Sequence, residues 1–336
     1  MIARTALLVL VLAASPAIAQ WLPSYGGERA GQASYSFLKS DYHVGSSGMG
    51  SVGSVLGGDA RSMGYNPAGL AQTKGLSMAF TSLGSGSGLE QGSAFVAGKV
   101  RQRSAAWGIG IQRLQTGAYQ ERTEFRPQGT GRLLYDAQTA FLLTYSQQLT
   151  EQFQMGLSLK ALNETYSAGY SGWGAAADIG FQYHLREEGL RFAVVLRNFG
   201  APVSLQGSNW AVGYNRDSLS SLESANLPTE FAIGIHLRAY QRGKHHLDLA
   251  AQLVHPSDNA ENYRVGLEYR FADQLFVRSG IMLNQAGQPF PTMGLGFAQK
   301  LGSTLALLDF SVQPTAGMGS WTAIGLTLQP QTFKAP

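Results

Sequence analysis

Tyr263-Arg264-Val265-Gly266-Leu267-Glu268-Tyr269-Arg270-Phe271 decides how this chain folds. Every second residue is large and apolar, and the residues between are charged or glycine. Successive side chains of a β-strand point to opposite faces, so the stretch reads as a strand with one apolar and one polar face. The same period recurs. Phe231, Ile233, Ile235 and Leu237 interleave with Ala232, Gly234, His236 and Arg238. Phe153, Met155, Leu157 and Leu159 interleave with Gln154, Gly156, Ser158 and Lys160, and Leu247, Leu249, Ala251 and Leu253 with Asp248, Ala250 and Gln252.

Extended along the chain, the pattern predicts fourteen strands, near 76–84, 92–102, 104–116, 133–149, 153–167, 172–186, 190–200, 227–241, 244–258, 261–273, 274–284, 290–301, 303–317 and 320–331. Many are longer than the roughly 5–6 residues of an ordinary strand. They suit the roughly 9–11 that a tilted strand needs to cross a bilayer.

Composition narrows the class in the same direction. Glycine is 42 of 336 residues, charged residues are 14% and hydrophobic residues 44%, with a mean hydropathy of -0.07. That is too polar for a bundle of membrane helices, and too little charged for a disordered chain. The chain has no cysteine, which excludes disulfides, Cys-based zinc sites and thiol catalysis. The net charge of +4 comes without a Lys/Arg block, so nucleic acid is not an expected partner.

The N-terminus predicts export. Arg4 precedes an apolar run at 6–14, Ser15-Pro16 breaks it, and Ala17-Ile18-Ala19 fits the small-x-small cleavage rule. Residues 1–19 are therefore expected to be a cleaved signal peptide, and the absence of a following cysteine argues against a lipoprotein. An exported sandwich and a membrane barrel remain. The polar faces choose between them. They carry small residues, as at Gly108 and Gly110, Gly156 and Ser158, Gly294 and Gly296, and Ala323 and Gly325. A crowded barrel interior accepts small side chains, while lipid requires the apolar ones outside. The predicted fold class is thus all-β, a 14-stranded antiparallel transmembrane β-barrel over 75–331 with a tail at 332–336. Trp107, Tyr145, Trp173, Tyr183, Tyr240, Phe271 and Trp321 fall near strand ends, as interfacial girdles would. Two long connections, 117–132 and 201–227, are expected at the cell surface.

Residues 20–74 alternate poorly and are rich in glycine, which suggests a short plug inside the barrel. Gly48-Met49-Gly50-Ser51-Val52-Gly53 matches G-x-G-x-x-G, but lacks the flanking strand, helix and acidic residue of a dinucleotide site, and is read as a flexible plug segment. His245 and His246 are adjacent, point to opposite faces and do not share a metal easily; His43, His184, His236 and His255 are isolated. No catalytic grouping is found, so the chain is expected to be non-enzymatic, with no catalytic residue, no metal and no cofactor. Lys160, Arg238, Glu268, Arg270 and Arg278 face the predicted lumen, where cross-strand pairing is favoured over a charged channel lining.

One block is more specific. Ser36-Phe37-Leu38-Lys39 is followed by Gly48-Met49-Gly50, by Gly58-Asp59-Ala60-Arg61 and by Tyr65-Asn66-Pro67-Ala68-Gly69-Leu70-Ala71. This resembles the start of the PorV/PorQ family, a branch of the FadL-like barrel superfamily. Leu227-Pro228-Thr229-Glu230-Phe231, and Val265 to Phe271 followed by Leu275 to Gly280, resemble later strands of that family. Two departures stand out: in the motif leading into the Asn66-Pro67 block Asp59 stands alone, followed by Arg61, and eight residues follow Leu328. The resemblance implies an outer-membrane barrel of the type IX secretion system, in contact with outer-membrane lipid, secretion subunits and cargo C-terminal sorting domains. Asp59, Asn66, Pro67 and Gly69 are the expected structural motif of the plug. The alternative is a FadL-like channel for hydrophobic small molecules, which shares the Asn66-Pro67-Ala68-Gly69-Leu70 block. There a kink at Gly108 and Gly110 in the third strand would open the wall.

Overall fold

The computed structural model describes residues 30–86, 88–100, 104–167, 169–185, 189–207, 224–317 and 319–330. The expected leader at 1–19 and tail at 332–336 lie outside the described residues. Fourteen long strands form the wall: β1 Leu76–Ser85, β2 Leu89–Lys99, β3 Ala105–Thr116, β4 Ala137–Gln148, β5 Phe153–Tyr166, β6 Tyr170–Leu185 and β7 Leu190–Gly200. They continue as β8 Glu230–Arg242, β9 His245–Pro256, β10 Asn262–Phe271, β11 Leu275–Leu283, β12 Thr292–Leu301, β13 Thr304–Thr315 and β14 Gly319–Pro330. Each pairs antiparallel with its chain neighbour, and β1 closes on β14 from Met78↔Leu328 to Ser85↔Trp321. Closure leaves no unpaired edge for hydrocarbon to meet.

The alternation maps onto the wall as expected. Val265 and Leu267 are exposed on the outside of β10, while Arg264 is buried in the lumen. Ile233, Leu143, Leu159, Leu295 and Ile324 extend the outer apolar belt. Ser77, Gln112, Ser158, Gln182 and Gln252 are buried inside. Among the described residues no helix is long and apolar enough to cross a membrane.

Strand polarity assigns the two ends. The chain enters β1 and leaves β14 at one end, where the turns are short. The opposite end carries the connection between β3 and β4, with its small hairpin of Tyr119–Gln120 on Leu133–Leu134, and the one between β7 and β8. A girdle forms at the short-turn end. Trp107 packs at a tilt against Tyr145 with centroids 4.7 Å apart, and His245 packs against Tyr269 and Phe271. Trp321 departs from the expected girdle. Its parity with Ala323 and Gly325 turns it inward, where it packs half-buried against the core.

Residues 33–75 run inside the barrel as a chain of short helical turns at Ser36–Lys39, Val44–Ser47, Gly53–Val55, Ala60–Gly64 and Pro67–Gln72. The path begins at the long-loop end, where Ala33 bridges Asn226, and finishes at the short-turn end, where Gln72 donates to Gln182 at 2.8 Å. The principal hydrophobic core is shared between plug and wall, with Phe37, Leu38, Met63 and Leu70 packed against Phe95, Ala140 and Leu162. The stretch 48–53, read from sequence as flexible, is buried throughout. It lies so close to the wall that a Cβ on Gly280 of β11 would meet the Met49 and Gly50 backbone.

Candidate functional site

The expected plug motif lies at the short-turn end of the lumen. Asn66 caps the turn Pro67–Gln72: its Oδ1 accepts from the Ala68 amide at 3.0 Å, and Pro67 fills the first position, where no amide is required. Its Nδ2 donates to the Ser54 carbonyl at 2.7 Å and to the Phe181 carbonyl of β6 at 3.5 Å. Wall and plug approach so closely here that a Cβ on Gly156 would meet the Pro67 and Ala68 backbone. Gly69 passes equally close to Leu56 and Gly57 within the plug. Asp59 caps the preceding turn by accepting from the Arg61 amide at 2.8 Å.

Asp59 also opens a chain of charges. Arg61 bonds Asp59 at 2.7 Å and Asp309 of β13 at 2.6 Å; Asp309 meets Arg278 of β11 at 2.6 Å, and Arg278 meets Glu268 of β10 at 2.6 Å. Charges taken out of water are tolerated when paired with this regularity. A second anchor is Arg197 of β7. It pairs with Glu230 at 3.1 Å, donates to the Leu38 and Gly64 carbonyls and lies 4.4 Å over the Tyr65 ring. Lys160, Arg238, Glu268, Arg270 and Arg278 all have ion-pair partners, so the expectation of cross-strand pairing holds.

The wall is irregular at β6 and β7. The register slips between Ala177 and Ile179, and Asn198 sits at φ 56. The Asp178 carboxylate holds this bulge by accepting the Asn198 amide at 2.7 Å, and Lys160 binds both Asp178 and the Asn198 side chain at 2.7 Å. Past the bulge the ladder stops at Ala176↔Gly200, and β6 regains a partner only at Ser171↔Gln206. The interruption is a cleft lined by Trp173, Gly174, Ala175, Ala201, Pro202 and Val203. Trp173 and Phe199 are exposed beside it, whereas Val203 is buried and packs against Gly174. The wall at Gly108 and Gly110, where the sequence suggested an opening, is instead continuous. β3 pairs with β2 and β4 without a slip, and these glycines accommodate Met63 and the Phe95 ring.

At the long-loop end the plug leaves a polar cup of about 230 Å³ between Lys39, Asp41, Asn262, Arg264, Gln313 and Trp321. Lys39 bonds Asp258 at 2.6 Å beside it. The His43 Nδ1 accepts from the Ser46 amide at 3.1 Å, so that nitrogen carries no proton. Among the described residues no group of His, Asp and Glu is arranged to hold a metal ion.

Sequence reading singled out Asp59, Asn66, Pro67 and Gly69, and did not single out Arg197, Asp178 or Val203. A signal for the bulge was present. In β7 Arg197 and Asn198 are adjacent polar residues after the unbroken apolar run Phe192 to Leu196, and two successive polar positions leave one side chain without a face.

The sequence matches no protein-family model and no curated protein. Similar folds are found among solved structures. The Pseudomonas putida toluene transporter TodX aligns with a TM-score of 0.58 at 11% identity, covering 87% of this chain and 98% of that one. The CymD monoaromatic hydrocarbon channel gives 0.55 at 14%, covering 85% and 95%. The Ralstonia pickettii toluene transporter TbuX gives 0.52 at 13%, covering 85% and 96%. What is shared is the fold of the barrel.

Proposed function

We propose that this chain is a FadL-like channel of the bacterial outer membrane that passes small hydrophobic molecules. The observation that carries the reading is the interrupted ladder between β6 and β7. Its cleft is apolar, and the buried Val203 side chain stands between the cleft and the lumen. An apolar solute crossing here would avoid the ion pairs of the lumen, which reject it by their hydration and mutual bonding. The likeness of the fold to channels for toluene and other monoaromatic hydrocarbons supports the same substrate class.

The test is uptake of radiolabelled toluene into proteoliposomes. The wild type is expected to exceed protein-free vesicles. Val203→Trp, which fills the cleft, is expected to reduce uptake severalfold, and Val203→Gly to raise it. Equal uptake by all three and by protein-free vesicles overturns the reading.

A second reading has its own support. The lumen is occupied by a plug that buried charges of β7, β10 and β13 hold directly, through Arg197, Arg264 and Asp309, and the Asn66-Pro67 block resembles that of PorV/PorQ proteins. We infer from these the alternative of a type IX secretion component that binds cargo sorting domains. Co-purification of secretion subunits, or of cargo with a C-terminal sorting domain, from outer membranes would favour it over the channel.

A further inference from the structure

The polar cup at the long-loop end is built away from the cleft. Lys39, Asp41 and Ser51 of the plug contribute to it, and no residue of β6 or β7 lines it. Its sides differ in character. Trp321 of β14 and Leu83 of β1 supply an apolar side; Trp321 is half-buried and pairs in register with Gln313 of β13. Amides supply the rest. They come from Asn259 in the β9–β10 connection, from Gln285 and Gln288 in the β11–β12 connection, and from Gln313.

The charged residues of the lining are engaged by the protein itself. Lys39 bonds Asp258 at 2.6 Å, and Glu230 bonds Arg197 at 3.1 Å. Asp41 accepts from the His43 amide at 2.9 Å and from the Ser46 hydroxyl at 2.6 Å. Arg264 donates to Asn262 at 2.9 Å, to the Tyr65 hydroxyl at 2.7 Å and to the Ser51 carbonyl at 3.1 Å. Among the described residues the charges of the lining balance, Lys39 and Arg264 against Asp41 and Glu230. Two acceptors are in the opposite condition. Gln288 Oε1 on the lining, and Oδ1 of Asp258 beside it, are buried and have no hydrogen-bond partner among the described residues. An acceptor withdrawn from water in this way calls for a donor.

We propose that the cup binds a neutral sugar ring, a hexopyranose that arrives from the cell surface, the side on which an outer-membrane barrel carries its longer loops. A pyranose is apolar on its C–H face and hydroxylated around its edge. The face suits Trp321 and Leu83; the edge suits amides, each of which both donates and accepts, and its hydroxyls donate to the vacant acceptors. A hydrocarbon would leave those acceptors unpaired. The cup's volume of about 230 Å³ is below the roughly 300–1,000 Å³ of sites for drug-sized ligands and suits a single ring. A free sugar and the end unit of a longer glycan share this chemistry. The inference goes beyond passage of hydrocarbons through the β6–β7 cleft and does not rest on it.

The probes are the methyl glycosides of glucose, mannose and galactose, read by saturation-transfer difference NMR. The full-length protein is held in a polyoxyethylene detergent, which has no sugar headgroup to compete. At least one probe is expected to give a signal on its ring protons. Gln285→Leu with Gln288→Leu is expected to weaken binding about tenfold, whereas Gln120→Leu, on the hairpin between β3 and β4, leaves it unchanged. Trp321→Phe is expected to abolish the change that the sugar produces in tryptophan emission. Glucuronate and glucosamine, which add a charge to the same ring, are expected to bind more weakly than the methyl glycosides. Displacement of the bound probe by the matching disaccharide identifies the end unit of a glycan, and no displacement a free sugar; both support the site. Absence of signal from all three probes overturns the proposal, including the case of a cup closed by residues 208–223, which lie outside the described residues. Undiminished binding by the folded glutamine variant, or tighter binding of either charged sugar, also overturns it. If Trp321→Phe does not fold, the glutamine variant decides alone.

Discussion

Lys160 and Asp178 form a 2.7 Å ion pair whose side chains are 1% and 0% exposed, on neighbouring strands of the barrel wall. The pair closes on the Asn198 bulge, so one contact both neutralises two buried charges and fixes where the ladder slips. Removing one member of a buried pair leaves an uncompensated charge and costs about 3–5 kcal/mol. Lys160→Met is therefore expected to lower the temperature at which the folded band is lost in heat-modifiability gels. Adding Asp178→Leu to Lys160→Met is expected to recover part of that loss, since the orphaned carboxylate is gone. A Lys160→Met protein as heat-resistant as the wild type would contradict this.

Asn66 is expected to act on assembly rather than on any transported or bound molecule. Asn66→Ala removes a cap, worth about 1 kcal/mol, and strips the Ser54 and Phe181 carbonyls of a donor. The yield of heat-modifiable barrel should fall while activity per folded molecule stays unchanged. Unaltered migration and yield would sink the assignment.

Gly280 marks the seat of the plug. A larger side chain would drive into the Met49 and Gly50 backbone, so Gly280→Val is expected to unseat that part of the plug. The readouts are new protease cleavage within 41–56 and raised conductance in planar bilayers. Gly98, with open space around it, provides the control, and Gly98→Ala should match the wild type in both.

Leu295 is 55% exposed and sits in the middle of β12, flanked by Val277 and Phe310 on the outer face. Leu295→Arg is expected to destabilise the folded barrel by about 2–4 kcal/mol, as a cation at the bilayer midplane does. Urea unfolding from lipid vesicles, followed by tryptophan fluorescence, measures this. An unchanged midpoint would contradict a lipid-facing β12.

Most of the wall was legible because one physical demand repeats along it. Lipid on one side and a crowded lumen on the other force a period of two, so residues 262–271 announce their strand unaided. The plug was placed correctly inside the barrel, yet 48–53 misled. Its glycines permit close approach to β10–β12, and local sequence does not distinguish packing from slackness. The wall defect was expected at Gly108 and Gly110, because glycine suggests a kink. Those positions in fact make room for Met63 and Phe95, whereas the real slip follows from Asn198, whose partners Asp178 and Lys160 lie twenty and thirty-eight residues away. Trp321 misled for a related reason: aromatic identity near a strand end says nothing of which face it occupies.

The plug reaches every strand of the wall. Its turns pack against β1 to β8 and β12 to β14, and the remaining three are met through Gln252, Arg264 and Gly280. A sheet of this kind has no internal reason to stop at one circumference, since backbone pairing is equally good with one hairpin more or fewer. Here the inner core is gripped from all sides. The segment before β1 is thus a mandrel that all fourteen strands enclose.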